Sequence, residues 1–179
     1  MRIARAVIAA ALLTALTACG EDDVTGSATP AVAAPSAANT SSPVFGPRGY
    51  GALRLGMTTM DAQATGEIAK LEDMGGDPEG CGSYTTTSGA SGFTKHGKIV
   101  AIMHNKLPAT TPEGITVGST LDEVRAAYPT LTLGHNWSSA DLAEDPTVHY
   151  GFLGLRLQSP PTAQVTQMLL YNDDDTCHN

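Results

Sequence analysis

Two stretches of this chain carry one pattern of apolar and polar positions. Leu53-Arg54-Leu55-Gly56-Met57-Thr58-Thr59-Met60-Asp61-Ala62 and Ile115-Thr116-Val117-Gly118-Ser119-Thr120-Leu121-Asp122-Glu123-Val124 both read apolar-x-apolar-Gly-x-Thr, 62 positions apart. Alternation before the glycine predicts a short half-buried strand. The glycine permits a sharp turn, and the threonine then caps a helix. An acidic residue three positions on completes a capping box, Thr58 with Asp61 and Thr120 with Glu123. The first helix is expected to put Met60, Ala64, Ile68 and Leu71 on one face, at a cost of ~1 kcal/mol for Gly66 relative to alanine. The second puts Leu121, Val124, Ala127 and Tyr128 on one face and stops at Pro129.

Each helix is followed by strand patterns. Ser83 to Thr87 is β-prone, and Lys98 to His104 is rich in Ile, Val and Met, as in a covered strand. Beyond the second helix come Thr130 to Leu133, Val148 to Leu157 and Gln164 to Tyr171. The short connections favour hairpins over parallel crossovers. The expected fold class is therefore α+β: two tandem repeats of a helix packed on antiparallel strands, about 49–110 and about 111–179, in a folded domain spanning 47–179.

The N-terminal part has a different pattern. Arg2 and Arg5 precede an apolar run from Ala6 to Leu16, and Leu16-Thr17-Ala18-Cys19 closes it. That run is too short to cross a bilayer, which needs ~20 apolar residues. It has the form of a signal peptide ending in cysteine. The four residues resemble the bacterial lipobox. The resemblance implies cleavage before Cys19, removal of residues 1–18, a diacylglyceryl group on the Cys19 sulfur, and residence on the outer face of the cell membrane. From Gly20 to about Phe45, Ala, Thr, Ser, Pro and Gly dominate. Such a composition cannot bury enough surface to offset its ordering entropy. Residues 19–46 are expected to form a lipidated, flexible tether, with a reach of roughly 30 Å if it behaves as a coil.

Charge narrows the partners. The 179-residue chain has 10 basic and 18 acidic side chains, and loss of Arg2 and Arg5 would take the net charge from −8 to −10. That argues against nucleic acid and against a polybasic second anchor. The membrane, through lipid on Cys19, and a protein or envelope component are the expected partners. Of three cysteines, Cys81 and Cys177 remain once Cys19 is lipidated. In an oxidising compartment a disulfide is the default, with two free thiols as the alternative.

The pattern Leu55-Gly56-Met57-Thr58, Ala64-Thr65-Gly66, Thr111-Pro112-Glu113-Gly114-Ile115-Thr116-Val117-Gly118-Ser119-Thr120, Ala127-Tyr128-Pro129 and the late Cys177 resembles a group of small actinobacterial lipoproteins of uncharacterised function. It covers about 120 residues. The Gly-Met-Thr helix start is also similar to the repeat of secreted beta-lactamase inhibitory proteins and of small outer-membrane assembly lipoproteins. That second likeness implies a fold class only. The inhibitors' concave sheet is rich in aromatics, whereas this chain has nine aromatic residues.

Catalytic and metal motifs are sparse. His96, His104, His135, His149 and His178 form no H-x₃-H arrangement, and Asp173-Asp174-Asp175 lacks the glycine turn and distal glutamate of a calcium loop. No G-x-S-x-G, H-E-x-x-H, Walker A or G-x-G-x-x-G sequence occurs. No cofactor is expected. Trp137, the only tryptophan, follows Gly134-His135-Asn136 in a polar stretch read as a loop, either a binding surface or a lid over its own core. Tyr150 and Phe152, two apart on a strand, share a face and could join it. The expected function is a non-enzymatic binding module at the cell surface. The alternatives are an enzyme assembled only in three dimensions and an inhibitor of a secreted hydrolase.

Overall fold

A computed structural model describes residues 44–73, 77, 79–104 and 109–178. The leader, Cys19 and almost all of the tether lie outside the described residues. Along the described chain run β1 (Gly49–Tyr50), β2 (Leu53–Arg54), α1 (Thr59–Ala64), β3 (Ile68–Asp73), β4 (Cys81–Thr86), β5 (Ser91–Lys95) and β6 (Lys98–His104). They are followed by α2 (Leu121–Ala127), β7 (Thr132–Leu133), β8 (Trp137–Asp141), β9 (Val148–Leu153) and β10 (Gln167–Asn172). Strands β1 and β2 form a small pair. The other eight form a single antiparallel sheet in the order β3-β4-β5-β6-β10-β9-β8-β7.

This overturns the expected pair of helix-on-strand repeats. The fold is β-rich, built on one continuous sheet, and its helices are six and seven residues long. The physical reason is clearest at α1. The spacing of Met60, Ala64, Ile68 and Leu71 mimics a helical stripe, but Gly66 at φ +75° turns the chain out of the helix. Ile68 and Leu71 then belong to edge strand β3. Met60 is 74 % exposed, so α1 buries only Ala62. A helix that short gains little from packing.

The two matched glycine-threonine starts do share local geometry. Gly56 and Gly118 sit at φ +78° and +97°. Thr58 accepts the Asp61 amide at 3.1 Å, and Thr120 accepts the Glu123 amide at 3.3 Å. Glu123 reaches back to the Thr120 amide at 2.6 Å, completing a box. The shorter Asp61 reaches only the Thr58 hydroxyl. Each start docks at the beginning of a central strand: Gly56 N–H donates to Ile99 in β6, and Gly118 N–H to Val165 just before β10.

Lys98 to His104 forms the strand its composition predicts. Val148 to Leu157 is shorter than expected, because Gly154 at φ +92° ends the strand after Leu153. One sheet face carries the core. Tyr84, Ile102, Leu170, Tyr150 and Ala140 lie in one row across it, with His104, Met168 and Phe152 beside them. Leu121, Val124, Tyr128, Tyr50 and Leu53 cover this face. Phe45, assigned by composition to the end of the tether, is fully buried there. Its N–H donates to Thr110, and its carbonyl accepts the Tyr150 hydroxyl at 2.7 Å.

Candidate functional site: an apolar groove on the second sheet face

Side chains alternate across a strand, so one step in register changes face. Trp137 pairs with Leu153, whereas Phe152 pairs with Ser138 and Tyr150 with Ala140. The three residues grouped in the sequence are therefore split. Tyr150 and Phe152 are 1 % and 0 % exposed in the core, where Tyr128 packs on both at 5.5 Å. They form no binding surface. Trp137 is on the opposite face, and it opens strand β8 rather than a loop.

On this second face Trp137 lies flat across Gly151. A Cβ at position 151 would fall 3.2 Å from both the indole edge and the Leu169 Cβ, a tight contact that the bare glycine avoids. The indole is within 11° of parallel to Tyr171, with centroids 5.7 Å apart. Leu169, next to Gly151 on the same face, is fully buried. Beside this island is a groove of about 220 Å³ lined by Phe93, Met103, Asn136, Trp137, Leu153 and His178. Phe93 and Met103 enter from β5 and β6, which lie on the far side of β10 from Trp137. The groove thus crosses the centre of the sheet.

One wall comes from the C-terminal strap, residues 173–178. The Cys81–Cys177 disulfide is present and ties this strap to the start of β4 across 96 positions. The His178 ring sits 4.1 Å from Trp137 and 4.8 Å from Tyr171. Asp175 is a buried residue of the strap itself, where it accepts the Cys177 amide at 2.9 Å and pairs with His178. Thr176 hydrogen-bonds Glu79, and Lys95 donates to Thr176 at 2.9 Å. The Thr176 contact holds the Glu79 carboxyl below its usual range, aided by Lys95.

At the strap's other end, His149 stands between two carboxylates. Its Nδ1 is 2.8 Å from Asp141 and its Nε2 2.7 Å from Asp173. Burial alone would lower its pKa, but the hydrogen bonds to Asp173 and Asp141, with their charges, outweigh it and raise the value above the ordinary one. The Asp173-Asp174-Asp175 run is thus divided between a histidine clasp and a buried turn. Among the described residues no group of three or more His, Cys, Asp or Glu side chains is placed to hold a metal ion.

A second cleft of about 420 Å³ lies beside α1 and β3, lined by Thr59, Leu71, Glu72, Asp73, Gly80, Gly82, Thr94, His96 and Gly97. Its histidine, carboxylates and hydroxyls are the ingredients of acid–base chemistry. The His96 ring packs against Gly80, however, and among the described residues its side chain makes no hydrogen bond to a carboxylate or hydroxyl.

Sequence reasoning missed Phe93, Met103, Leu153, His149 and His178. For His178 alone there was an indirect signal, because pairing Cys81 with Cys177 brings the neighbour of Cys177 onto the sheet.

No protein-family model and no curated protein matches the chain. Among solved structures it is similar to the uncharacterized protein yfeY from Escherichia coli, with a TM-score of 0.50 at 12% identity over 71% of this chain and 97% of that one. The likeness is one of fold.

Proposed function

We propose that this chain is a lipid-anchored, extracytoplasmic and non-enzymatic binding module. The groove on the strap-covered face receives one large apolar side chain of a protein partner. The size of the groove carries this reading. At about 220 Å³ it is smaller than the ~300–1,000 Å³ of typical small-molecule sites. It is larger than the ~150 Å³ cavity that accepts benzene. One aromatic or aliphatic anchor residue fits that interval, and such anchors dominate protein–protein affinity. Trp137 and Phe93 supply apolar walls, and Asn136 supplies a polar rim group. The lipobox-like Leu16-Thr17-Ala18-Cys19 supports the anchoring part. Two acyl chains on Cys19 suffice for stable attachment.

Site-specific photo-crosslinking in the native envelope tests the groove. A photoreactive residue at Leu153 should yield a discrete protein adduct that disappears with Trp137→Ala. The same residue at Leu157, which is 53 % exposed and outside the groove, should not. Equal adducts from both positions, or none from Leu153, reject the groove as the contact surface. For the anchor, Cys19→Ala should leave an uncleaved precursor or shed the protein into the medium.

A further inference from the structure

The groove has an unusual construction. Five of its six lining residues belong to the sheet or the turn just before β8, but His178 reaches it from the far end of the strap. The contacts of the strap divide into two groups. Its proximal end is fastened by the Asp173 amide, which donates to Thr147, and by the His149 clasp. Its distal end, which places His178, rests that ring on Trp137 and Tyr171, has the Cys177 sulfur 3.6 Å from the Thr94 carbonyl, and among the described residues has two side-chain hydrogen-bond links to the rest of the chain besides the disulfide. These are the Thr176 contacts to Glu79 and Lys95, both at the surface. Exposed polar pairs of this kind hold little. The pairing of Asp175 with His178 and with the Cys177 amide is internal to the strap, so it shapes the strap without docking it.

Resting on the binding reading above, we propose that the groove is a redox-assembled site. The Cys81–Cys177 disulfide holds His178 in place as its outer wall, and a dithiol reductant takes the site apart. Cys81 is 4 % exposed while Cys177 is half-buried, so Cys177 is the more exposed residue of the pair and the one the reductant is taken to attack. A thiolate of the reductant attacks the Cys177 sulfur and forms a mixed disulfide, and Cys81 leaves as a thiolate and takes up a proton. The second thiol of the reductant then closes the reductant's own disulfide and releases Cys177 as a thiol. Two electrons and two protons pass from the dithiol to the cystine. The strap from Thr176 onward then loses its covalent hold, His178 leaves the indole, and Trp137 and Leu169 meet solvent. In an oxidising compartment the site stands assembled.

Trp137 is the only tryptophan in the chain, so its emission reports the wall directly. The full chain is measured with its disulfide intact, then after dithiothreitol and alkylation. Reduction should shift Trp137 emission to the red and remove its shielding from acrylamide. His178→Ala should produce the same exposure in the oxidised protein, and reduction should add nothing further. Far-UV circular dichroism should keep its sheet signal throughout. Unchanged Trp137 emission on reduction overturns the proposal, as does an unchanged emission in His178→Ala. Loss of the sheet signal on reduction overturns it too, since the bond would then hold the whole domain rather than the site. Crosslinking from Leu153 in both redox states separates this inference from the binding reading. A wall that opens while no partner is captured in either state leaves the switch and removes the partner. A partner captured equally in both states removes the switch.

Discussion

The two faces of the sheet are made by alternate residues of the same strands, yet they are packed by different means. The core face has large side chains from β4, β6, β9 and β10, under a cover supplied by α2, the β1–β2 pair and Phe45. The strap face is built around small residues, with Ser83, Ser91, Ala101, Ser139 and Gly151 among its positions, and its apolar bulk is gathered at the Trp137 island and the groove beside it. Its cover is six residues of chain closed by a disulfide. A face covered by many independent contacts resists change, while a face covered through one bond can be rearranged by breaking that bond.

The sharpest test of this contrast uses adjacent residues on β9. Phe152→Ala in the core should cost about 4 kcal/mol. Leu153→Ala, half-buried on the other face, should cost roughly 1 kcal/mol. Denaturant unfolding followed by circular dichroism measures both, and equal losses would abolish the distinction. Removing the disulfide with Cys81→Ser and Cys177→Ser comes next. In the chain-entropy model a closure this long is worth up to ~4.5 kcal/mol, with ~2–4 typical. The midpoint of unfolding should fall while the sheet remains formed in the absence of denaturant.

A finer contrast is in pH. His104, fully buried on the core face, has its pKa lowered by burial, while His149 on the strap face has its pKa raised by Asp173 and Asp141. The signs are opposite. Below the unfolded histidine value of about 6.5, the unfolded state takes up a proton that buried His104 refuses, so stability falls as pH drops toward the depressed folded value. His149 works in the window above about 6.5. Its contribution is complete below that value and is lost as pH rises through the raised folded pKa. Stability against pH should therefore pass through a maximum near the unfolded value. His149→Gln should flatten the alkaline side alone, and an unaltered alkaline slope in that variant would dismiss the clasp. The smallest effect is expected from Asp173→Asn, which removes one of the two carboxylates and should weaken the same slope without abolishing it.

Some of this was readable from the chain. The Thr120–Glu123 box, the strand from Lys98 to His104 and the cysteine pair all rest on local chemistry or on elimination. Strands β5 and β8 were not readable, because Ser91-Gly92-Phe93-Thr94-Lys95 and Trp137-Ser138-Ser139-Ala140-Asp141 face one thinly covered surface and lack an apolar alternation. The α1 stripe misled because i, i+4 spacing continued across a glycine into an edge strand. Trp137, Tyr150 and Phe152 were grouped by residue type, when the register of β8 against β9 sends them to opposite faces. His178 acts 97 positions from the start of the strand that fastens its neighbour, a relation no local pattern encodes.

The position of β10 governs the order in which this molecule can be completed. This strand pairs with β6 on one side and β9 on the other, so it sits in the middle of the sheet although it follows the other seven described strands of that sheet in the chain. Synthesis delivers the chain N-terminus first and therefore supplies the centre of the sheet after both of its flanks. Until residues 167–172 arrive, β6 and β9 both present open edges, the arrangement most prone to wrong pairing. A chain cut short before Gln167 would keep most of its residues and still lack its midline.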